Sequence, residues 1–319
     1  MSAPDWGPAC SRAVLEARAR LLAAVRAFFA ARGVLEVETP LLSAGTVTDP
    51  ALEPLRTRVG GRRRHLQTSP EFHMKRLLAA GSGDIYQITR AFRGGERGAR
   101  HNVEFTILEW YRVGWDHHRL MDEVEALLAA VAPGRFAPAE RLTVREAWRR
   151  HLGLDPHRAG RAALRAAAAA AGVVLRGDEP REVLLDALTA LWVQPRLGRG
   201  GRPAFLHDYP ACQAALARVR GAGADAVAER FELYLDGMEI ANGFHELTDP
   251  AEQARRMIAE RRARRRAGRP GGGDRRLLAA LRAGLPACAG VALGLDRLLM
   301  VLAGARTIDE VLAFPEGRA

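Results

Sequence analysis

Lysine is almost missing from this chain. Of 48 basic residues, Lys75 is the only lysine and the rest are arginines. With abundant alanine and glycine, that bias is what a GC-rich genome imposes, so part of the formal charge of +11 says nothing about partners. A basic balance is the electrostatic footprint of nucleic-acid binders, but net charge alone does not establish an anionic macromolecular partner here. Cysteine is scarce and odd in number: Cys10, Cys212 and Cys288 lie far apart. That spacing suggests neither a disulfide framework nor a zinc site and fits a reducing cytoplasm. No run of 18 apolar residues is present, and the alanine stretch 166–171 is too short to span a bilayer. The start, MSAPDWGPACSR, lacks a basic segment followed by an apolar core, so no secretory signal is expected. The expectation is a cytoplasmic protein with no membrane partner. A chain of 319 residues with 48% apolar content has ample material for a globular core.

What is present is organised around residues 84–113, DIYQITRAFRGGERGARHNVEFTILEWYRV. Two runs rich in β-branched and aromatic residues flank a polar, Gly- and Arg-rich centre at 93–102, which predicts a long antiparallel hairpin. Alternation along the second strand puts Val103, Phe105, Ile107, Glu109 and Tyr111 on one face, and Glu104, Thr106, Leu108, Trp110 and Arg112 on the other. Such freely spent charges need partners if they are buried. On the residues alone, a solvated edge strand with an arginine-rich loop is the more ordinary reading, because charge is usually solvated.

Ahead of the hairpin, residues 11–32 place Val14, Leu15, Leu21, Leu22, Val25, Phe28 and Phe29 at helical spacing, with Gly33 where a helix ends. A strand at 34–38 follows and stops at Pro40. LQTSPE at 66–71 closes a strand and opens a helix over 72–80, with Ser69 as N-cap, Pro70 at the first helical position and Glu71 in the first turn. Residues 116–205 read as helices (about 117–131, 143–151, 158–171 and 180–192) separated by Pro and Gly joints, with no catalytic constellation. They read as a helical insertion in a single domain spanning 1–319. The arginine run 255–269 follows the cap pair Asp249-Pro250 and reads as the solvated face of a helix. Segments 199–203 and 268–274 read as exposed loops.

A second hairpin is clear at 229–246, ERFELYLDGMEIANGFHE, turning at Asp236-Gly237. The turn predicts Leu235 opposite Met238, Tyr234 opposite Glu239 and Glu232 opposite Ala241. Glu232 and Glu239 then lie diagonally on one face, roughly 7–8 Å apart. Paired carboxylates at that spacing suit a Mg²⁺ ion that also takes phosphate oxygens, although two solvated glutamates on an exposed hairpin fit the residues as well. Finally, GVALGLDRLLMVL at 290–302 is a glycine-rich strand running into a helix near Asp296.

These segments together resemble the class II aminoacyl-tRNA synthetases of the lysyl type. F-R-x-x-E-x(4)-H-N-x-E-F-T-x-x-E-W-Y is similar to their motif 2, the helix–strand–proline run to motif 1, and G-x-x-x-G-x-D-R to motif 3. The resemblance covers nearly the whole chain. It implies an α+β fold, an antiparallel sheet flanked by helices, that dimerises through motif 1. It further implies that ATP is bound by Arg93, Gly94, Gly95, Glu96, His101, Asn102, Phe105, Glu239, Ile240, Gly294 and Arg297. Arg93 would meet the α-phosphate and Arg297 the γ-phosphate, both as catalytic residues, and Phe105 would stack on adenine. Glu232 and Glu239 would hold Mg²⁺. The amino-acid pocket would be lined by Ser69, Pro70, Glu71, Glu109, Tyr111, Asn242, Glu246 and Ala292, with Glu71 at the α-amino group. Glu109, Tyr111 and Glu246 would meet the side-chain ammonium, whose three donors demand acidic acceptors. One departure stands out. The family's motif 2 reads F-R-N-E, whereas Gly95 occupies the position of the adenine-binding glutamate here, leaving Glu96 or backbone carbonyls for that contact.

Within that class, the motif 1 helix begins near residue 11 and leaves no room for the N-terminal anticodon-reading domain of lysyl-tRNA synthetases. RGVLEVETPLLSAGTVTDP, TSPEFHMKRLLAAG, HNVEFTILEWYR, ANGFHELTD and GVALGLDR are similar to the elongation factor P lysine ligases. That family transfers (R)-β-lysine, activated by ATP, to a lysine of elongation factor P. Ala292, where lysyl-tRNA synthetases usually carry glycine, resembles that paralogue. The resemblance implies elongation factor P as acceptor, lysine or (R)-β-lysine as substrate, a homodimer, and tRNA as no expected partner. Two alternatives stay open on sequence: a truncated synthetase that lysylates tRNA or another acceptor, and an inactive paralogue that binds RNA or a partner.

Overall fold

The computed structural model describes residues 6–174, 177, 179–270 and 272–319. The first five residues of the N-terminal segment read above and Gly271 of the 268–274 loop lie outside the described residues. In chain order the elements are α1 (Arg12–Ala30), β1 (Leu35–Glu36), β2 (Leu42–Ser43), β3 (Arg56–Val59), β4 (Arg62–Leu66), α2 (Glu71–Ala79), β5 (Ile85–Phe92) and β6 (Glu104–Val113). There follow α3 (His117–Val131), β7 (Glu140–Thr143), α4 (Val144–Leu152), α5 (Arg161–Ala170), α6 (Arg181–Leu188), β8 (Ala204–Pro210), β9 (Val219–Arg220), β10 (Val227–Leu235) and β11 (Met238–His245). The chain ends with α7 (Pro250–Arg266), α8 (Arg275–Gly284), β12 (Cys288–Gly294), α9 (Leu295–Ala303) and short turns. Two compact units result: Met1–Trp115 with Thr248–Ala319, and Asp116–Leu247.

In the first unit the strands run β1-β5-β6-β12, and β2-β4-β3 form a separate small sheet. The predicted hairpin is present: β5 and β6 pair antiparallel from Ile85–Tyr111 to Phe92–Glu104. Its two faces differ as alternation requires. Tyr86 and Trp110 are cross-strand partners, and Phe29 of α1 stacks on Tyr86 at 4.4 Å and meets Trp110 edge-on at 5.3 Å. That aromatic packing, with buried Leu21, Val25 and Phe28, is why the amphipathic stripe of α1 lies on this face. The opposite face carries Glu109 and Tyr111. Ser11 caps α1 through the Val14 amide, and Gly33 follows at φ +65, as expected.

In the second unit the order is β11-β10-β8-β7, with β9 also on β10. A core of Leu142, Trp148, Leu164, Leu184, Leu185, Leu188, Leu206 and Tyr234 packs α4, α5 and α6 against these strands. The helices expected over 116–205 are there, each within a few residues of its predicted ends. Pairing is antiparallel apart from β1/β5 and β7/β8, which are parallel.

Several local expectations are corrected. The strand expected over 34–38 pairs only at Leu35 and Glu36. The helix expected from 72 begins at Glu71, with Pro70 as the N-cap residue rather than Ser69. Ser69 Oγ still accepts the Glu71 amide at 3.1 Å. In the β10/β11 hairpin Glu232 faces Asn242, not Ala241, because a bulge at Leu233/Tyr234 leaves Ile240 as an extra residue. Glu232 and Glu239 stay on one face, since Glu239 still opposes Tyr234. The 268–274 loop is not simply exposed: Gly273 pairs with Thr46, and Asp274 caps α8 through the Arg276 and Leu277 amides.

The arginine run is likewise not wholly solvated. Arg264 is 1% exposed and donates to the carbonyls of Asp49, Leu52 and Pro270 at 2.7, 2.6 and 2.9 Å. It fastens the 49–53 loop to α7. Arg264→Leu removes three charge-assisted hydrogen bonds to backbone carbonyls and should destabilise the protein by about 3 kcal/mol. Urea denaturation measures this; a loss below about 0.5 kcal/mol, as for an ordinary surface site, contradicts the assignment.

Candidate active site

The most heavily buried chemistry of the first unit sits where β6 meets β12 and α2. Glu109 is 2% exposed. Its Oε2 accepts from Ser69 Oγ at 2.6 Å and its Oε1 from the Tyr111 hydroxyl at 2.8 Å. Burial pushes the Glu109 carboxyl up to about 7, and the nearby Glu71 carboxylate adds to the rise, against the two hydroxyl donors and Lys75. β12 pairs so that Ala292 lies directly opposite Glu109, Gly290 opposite Tyr111 and Gly294 opposite Ile107. Ser69, Glu71, Glu109, Tyr111 and Ala292, predicted to line one pocket, are thus brought together, with Pro70 at the turn between them. Crowded carboxylates in a low-dielectric site create demand for a cation.

Part of that demand is met from within. Lys75 Nζ is 2.6 Å from Glu71 Oε1, and its side chain is 2% exposed. The sequence reading treated this sole lysine only as a marker of codon bias. Its signal was legible, one helical turn beyond Glu71 in a chain that uses arginine everywhere else.

The loop between β5 and β6 gathers the second group. Arg93 has a buried Nε with no hydrogen-bond partner among the described residues. Its guanidinium lies 5.0 Å from the Phe105 ring and 3.9 Å from Glu96. Gly94 bonds to the Glu53 carbonyl at 2.7 Å, and Gly95 adopts φ +78. A cleft of about 430 Å³ opens here, with Glu53, Arg56, Gly94, Gly95, Glu96 and Arg269 in its wall. Arg297, at the start of α9, donates to the Arg100 carbonyl at 3.3 Å and lies 2.6 Å from His101 Nε2. For that contact to be attractive His101 must accept through Nε2, as a neutral ring. Burial and the Arg297 charge both push His101 downward, in the same sense. Asn102 has an internal role: its amide donates to the Glu104 carbonyl and accepts from the Glu316 amide, tying the loop to the C-terminal segment.

The second unit holds the remaining acids. Arg230, Glu232 and Tyr234 of β10 share a face with Glu239 and Asn242 of β11. Glu232 is 7% exposed; one oxygen takes the Arg230 guanidinium and the other the Tyr234 hydroxyl. Arg230 also reaches Asn242 Oδ1 at 3.3 Å, and the Glu239 charge acts on both Arg230 and Tyr234. Ile240 is buried and apolar, at the bulge. Glu246 is buried and bridges through its backbone to Ala217. Arg230 and Tyr234 were missed from sequence; their i, i+2 spacing about Glu232 on one strand face is the sign that marked them.

Residues 8–318 match the class II tRNA synthetases (D, K and N), and the chain belongs to that family. Among individual relatives, it is 50% identical to an elongation factor P–(R)-β-lysine ligase of Vibrio cholerae, with full coverage of both chains. It is also 50% identical to the enzyme of that name from Yersinia enterocolitica, covering 99% of this chain and 98% of the other. With the one from Salmonella paratyphi B it shares 48% identity over 98% of each.

The raised Glu109 carboxyl has a signed consequence. Its folded value of about 7 lies above the ordinary 4.5, so the native state holds the proton more tightly than the unfolded chain. Stability is therefore lost as pH rises from 4.5 toward 7. Glu109→Gln removes that loss, so the melting midpoint of the variant should gain on the parent across this interval. A difference between the two that stays constant with pH contradicts it.

Proposed function

We propose that the chain is an ATP-dependent ligase that activates (R)-β-lysine, or lysine, as an aminoacyl-adenylate. It then transfers the acyl group to the ε-amino group of a lysine on elongation factor P. The observation that carries this reading is Glu109, a buried carboxylate kept near its ionisation point between Ser69, Tyr111 and Glu71. A site built this way rewards an ammonium and leaves a neutral side chain facing unpaired charge. The names of the full-length relatives support elongation factor P as the acceptor. The helices over 116–205 are read as an insertion within one catalytic domain.

Activation requires a substrate carboxylate oxygen to attack the α-phosphorus of ATP while the bond to pyrophosphate breaks. Arg93 and Arg297 supply fixed positive charge for the phosphates, and their planar forks suit paired oxygens. The unpartnered Nε of Arg93 is a donor awaiting an anion. The exposed edge of Phe105 is the platform for adenine, and Glu96 in the cleft wall is the acid available for its amino group. Mg²⁺ fits the Glu232 and Glu239 pair as hard carboxylate ligands on one strand face, and each Glu232 oxygen keeps a lone pair beyond the one used by Arg230 or Tyr234. That ion would neutralise phosphate charge there. In the second half-reaction the acceptor amine attacks the acyl carbon, AMP leaves, and the amine proton passes to the departing phosphate, since no dedicated base is assigned. Ala292, directly opposite Glu109, puts one methyl where lysyl-tRNA synthetases usually have glycine and resembles the paralogue that prefers the β isomer. A homodimer through α1 and the segment after it is part of the proposal, supported by exposed Leu35 and Leu42.

Intact-mass measurement of purified elongation factor P tests the reading, with ATP, Mg²⁺ and each lysine isomer, and bulk tRNA as a parallel acceptor. One added lysyl mass on the factor, faster with (R)-β-lysine and lost in Arg297→Ala, is expected. Acylation of tRNA alone overturns the protein-ligase reading. In the same assay Glu109→Gln should lower kcat/KM for the amino acid by about 100-fold or more while leaving the KM for ATP within a few-fold. An equal rise in both KM values contradicts the assignment of Glu109 to the amino-acid pocket.

A further inference from the structure

Four residues of the second unit have no part in the chemistry above. His117 and His118 are the first two residues of α3, whose N-cap is Asp116. His207 and Asp208 are adjacent on β8, at a bulge in its pairing with β10, and Asp208 has a left-handed backbone, φ +57. Some ninety residues of sequence separate the two pairs, yet one ligand atom from each of the four side chains lies within 4.8 Å of all the others. We propose that His117, His118, His207 and Asp208 form a site for a divalent transition metal, with Zn²⁺ the ion whose preferences they match.

The second observation is His117 itself. It is 2% exposed, and neither ring nitrogen has a hydrogen-bond partner among the described residues. Asp208 Oδ1 is 3.4 Å from Nε2, and His207 Nδ1 is 3.6 Å from Asp208 Oδ2. A buried imidazole with both nitrogens unsatisfied is uncommon and costly. The His118 ring also lies against both others, 4.1 Å from His117 and 5.4 Å from His207 between centroids. Protonating them to bond Asp208 would press like charges together. A metal resolves both conflicts, because neutral imidazoles present lone pairs to it and the carboxylate balances its charge.

Ligand type and geometry select the ion. Three nitrogens and one carboxylate oxygen suit zinc and its borderline neighbours, not the all-oxygen preference of Mg²⁺ or Ca²⁺. Tetrahedral bonds of about 2.0–2.1 Å put ligand atoms roughly 3.4 Å apart. The His117–Asp208 separation of 3.4 Å already meets this, and the wider pairs close by rotation of half-exposed or exposed rings. His118 is exposed and Asp208 is half-buried, so an ion has a way in. Arg220 lies 3.4 Å from both Asp208 oxygens and balances the carboxylate when no ion is bound. A bound ion would fasten the start of α3 to β8.

The test uses the full chain, stripped with EDTA and desalted, then titrated calorimetrically with ZnCl₂ and, by visible absorption, with CoCl₂. Expected are one equivalent of Zn²⁺ with a dissociation constant below about 10 µM, a tetrahedral Co²⁺ spectrum, and a melting midpoint raised by about 5 °C at saturating Zn²⁺. His118→Gln alters only an exposed side chain, so it should fold normally; it and His207→Gln should each weaken binding at least about 10-fold. Uptake weaker than about 10 µM, or uptake unchanged in both variants, overturns the site and leaves a histidine–aspartate ion cluster.

Discussion

Asp296 is the knot on which the first unit depends around the β5–β6 loop. Its carboxylate is 1% exposed. It accepts the Thr106 amide of β6 at 2.6 Å and pairs with the Arg18 guanidinium of α1 at 2.6 Å. Arg18 also donates to the Val311 carbonyl at 2.7 Å. One buried charge therefore joins α1, β6, α9 and the C-terminal segment. Breaking such a pair leaves a stranded ion, which costs far more than a surface pair contributes. The residue after Asp296 is Arg297, so the same knot sets where that guanidinium emerges beside the β5–β6 loop.

Each unit then solves its own electrostatic problem. In the first, acids gather around Glu109 while arginines gather in the β5–β6 loop, and the proposed reading gives the acids an ammonium and the arginines the phosphates. In the second, Glu232 is held between Arg230 and Tyr234, a carboxylate fixed in place by its own neighbours. Fixed donors and acceptors of this kind need little reorganisation during reaction, and class II activation is chiefly positioning and electrostatics.

Much of this was legible in the sequence because the signals are local or periodic. Period-two alternation placed Glu109 and Tyr111 on one face and Trp110 on the other, and helical spacing marked the stripe of α1. Asp236-Gly237 marked the second hairpin, but no turn rule announces the bulge at Ile240, so the partner of Glu232 was off by one residue. Solvation is the default for an arginine run, and only the folded chain brings the 49–53 carbonyls to Arg264. His117-His118 and His207-Asp208 look like ordinary polar dipeptides until α3 and β8 bring them together. Long-range pairing, not propensity, decided each of these.

The central claim is that buried carboxylates around Glu109 select a substrate ammonium for adenylation. ATP–pyrophosphate exchange over a panel of amino acids tests it most directly. Exchange with lysine isomers only, absent with neutral amino acids and lost in Glu109→Gln, is the predicted result. Exchange with a neutral amino acid, or none with either lysine isomer, would contradict it.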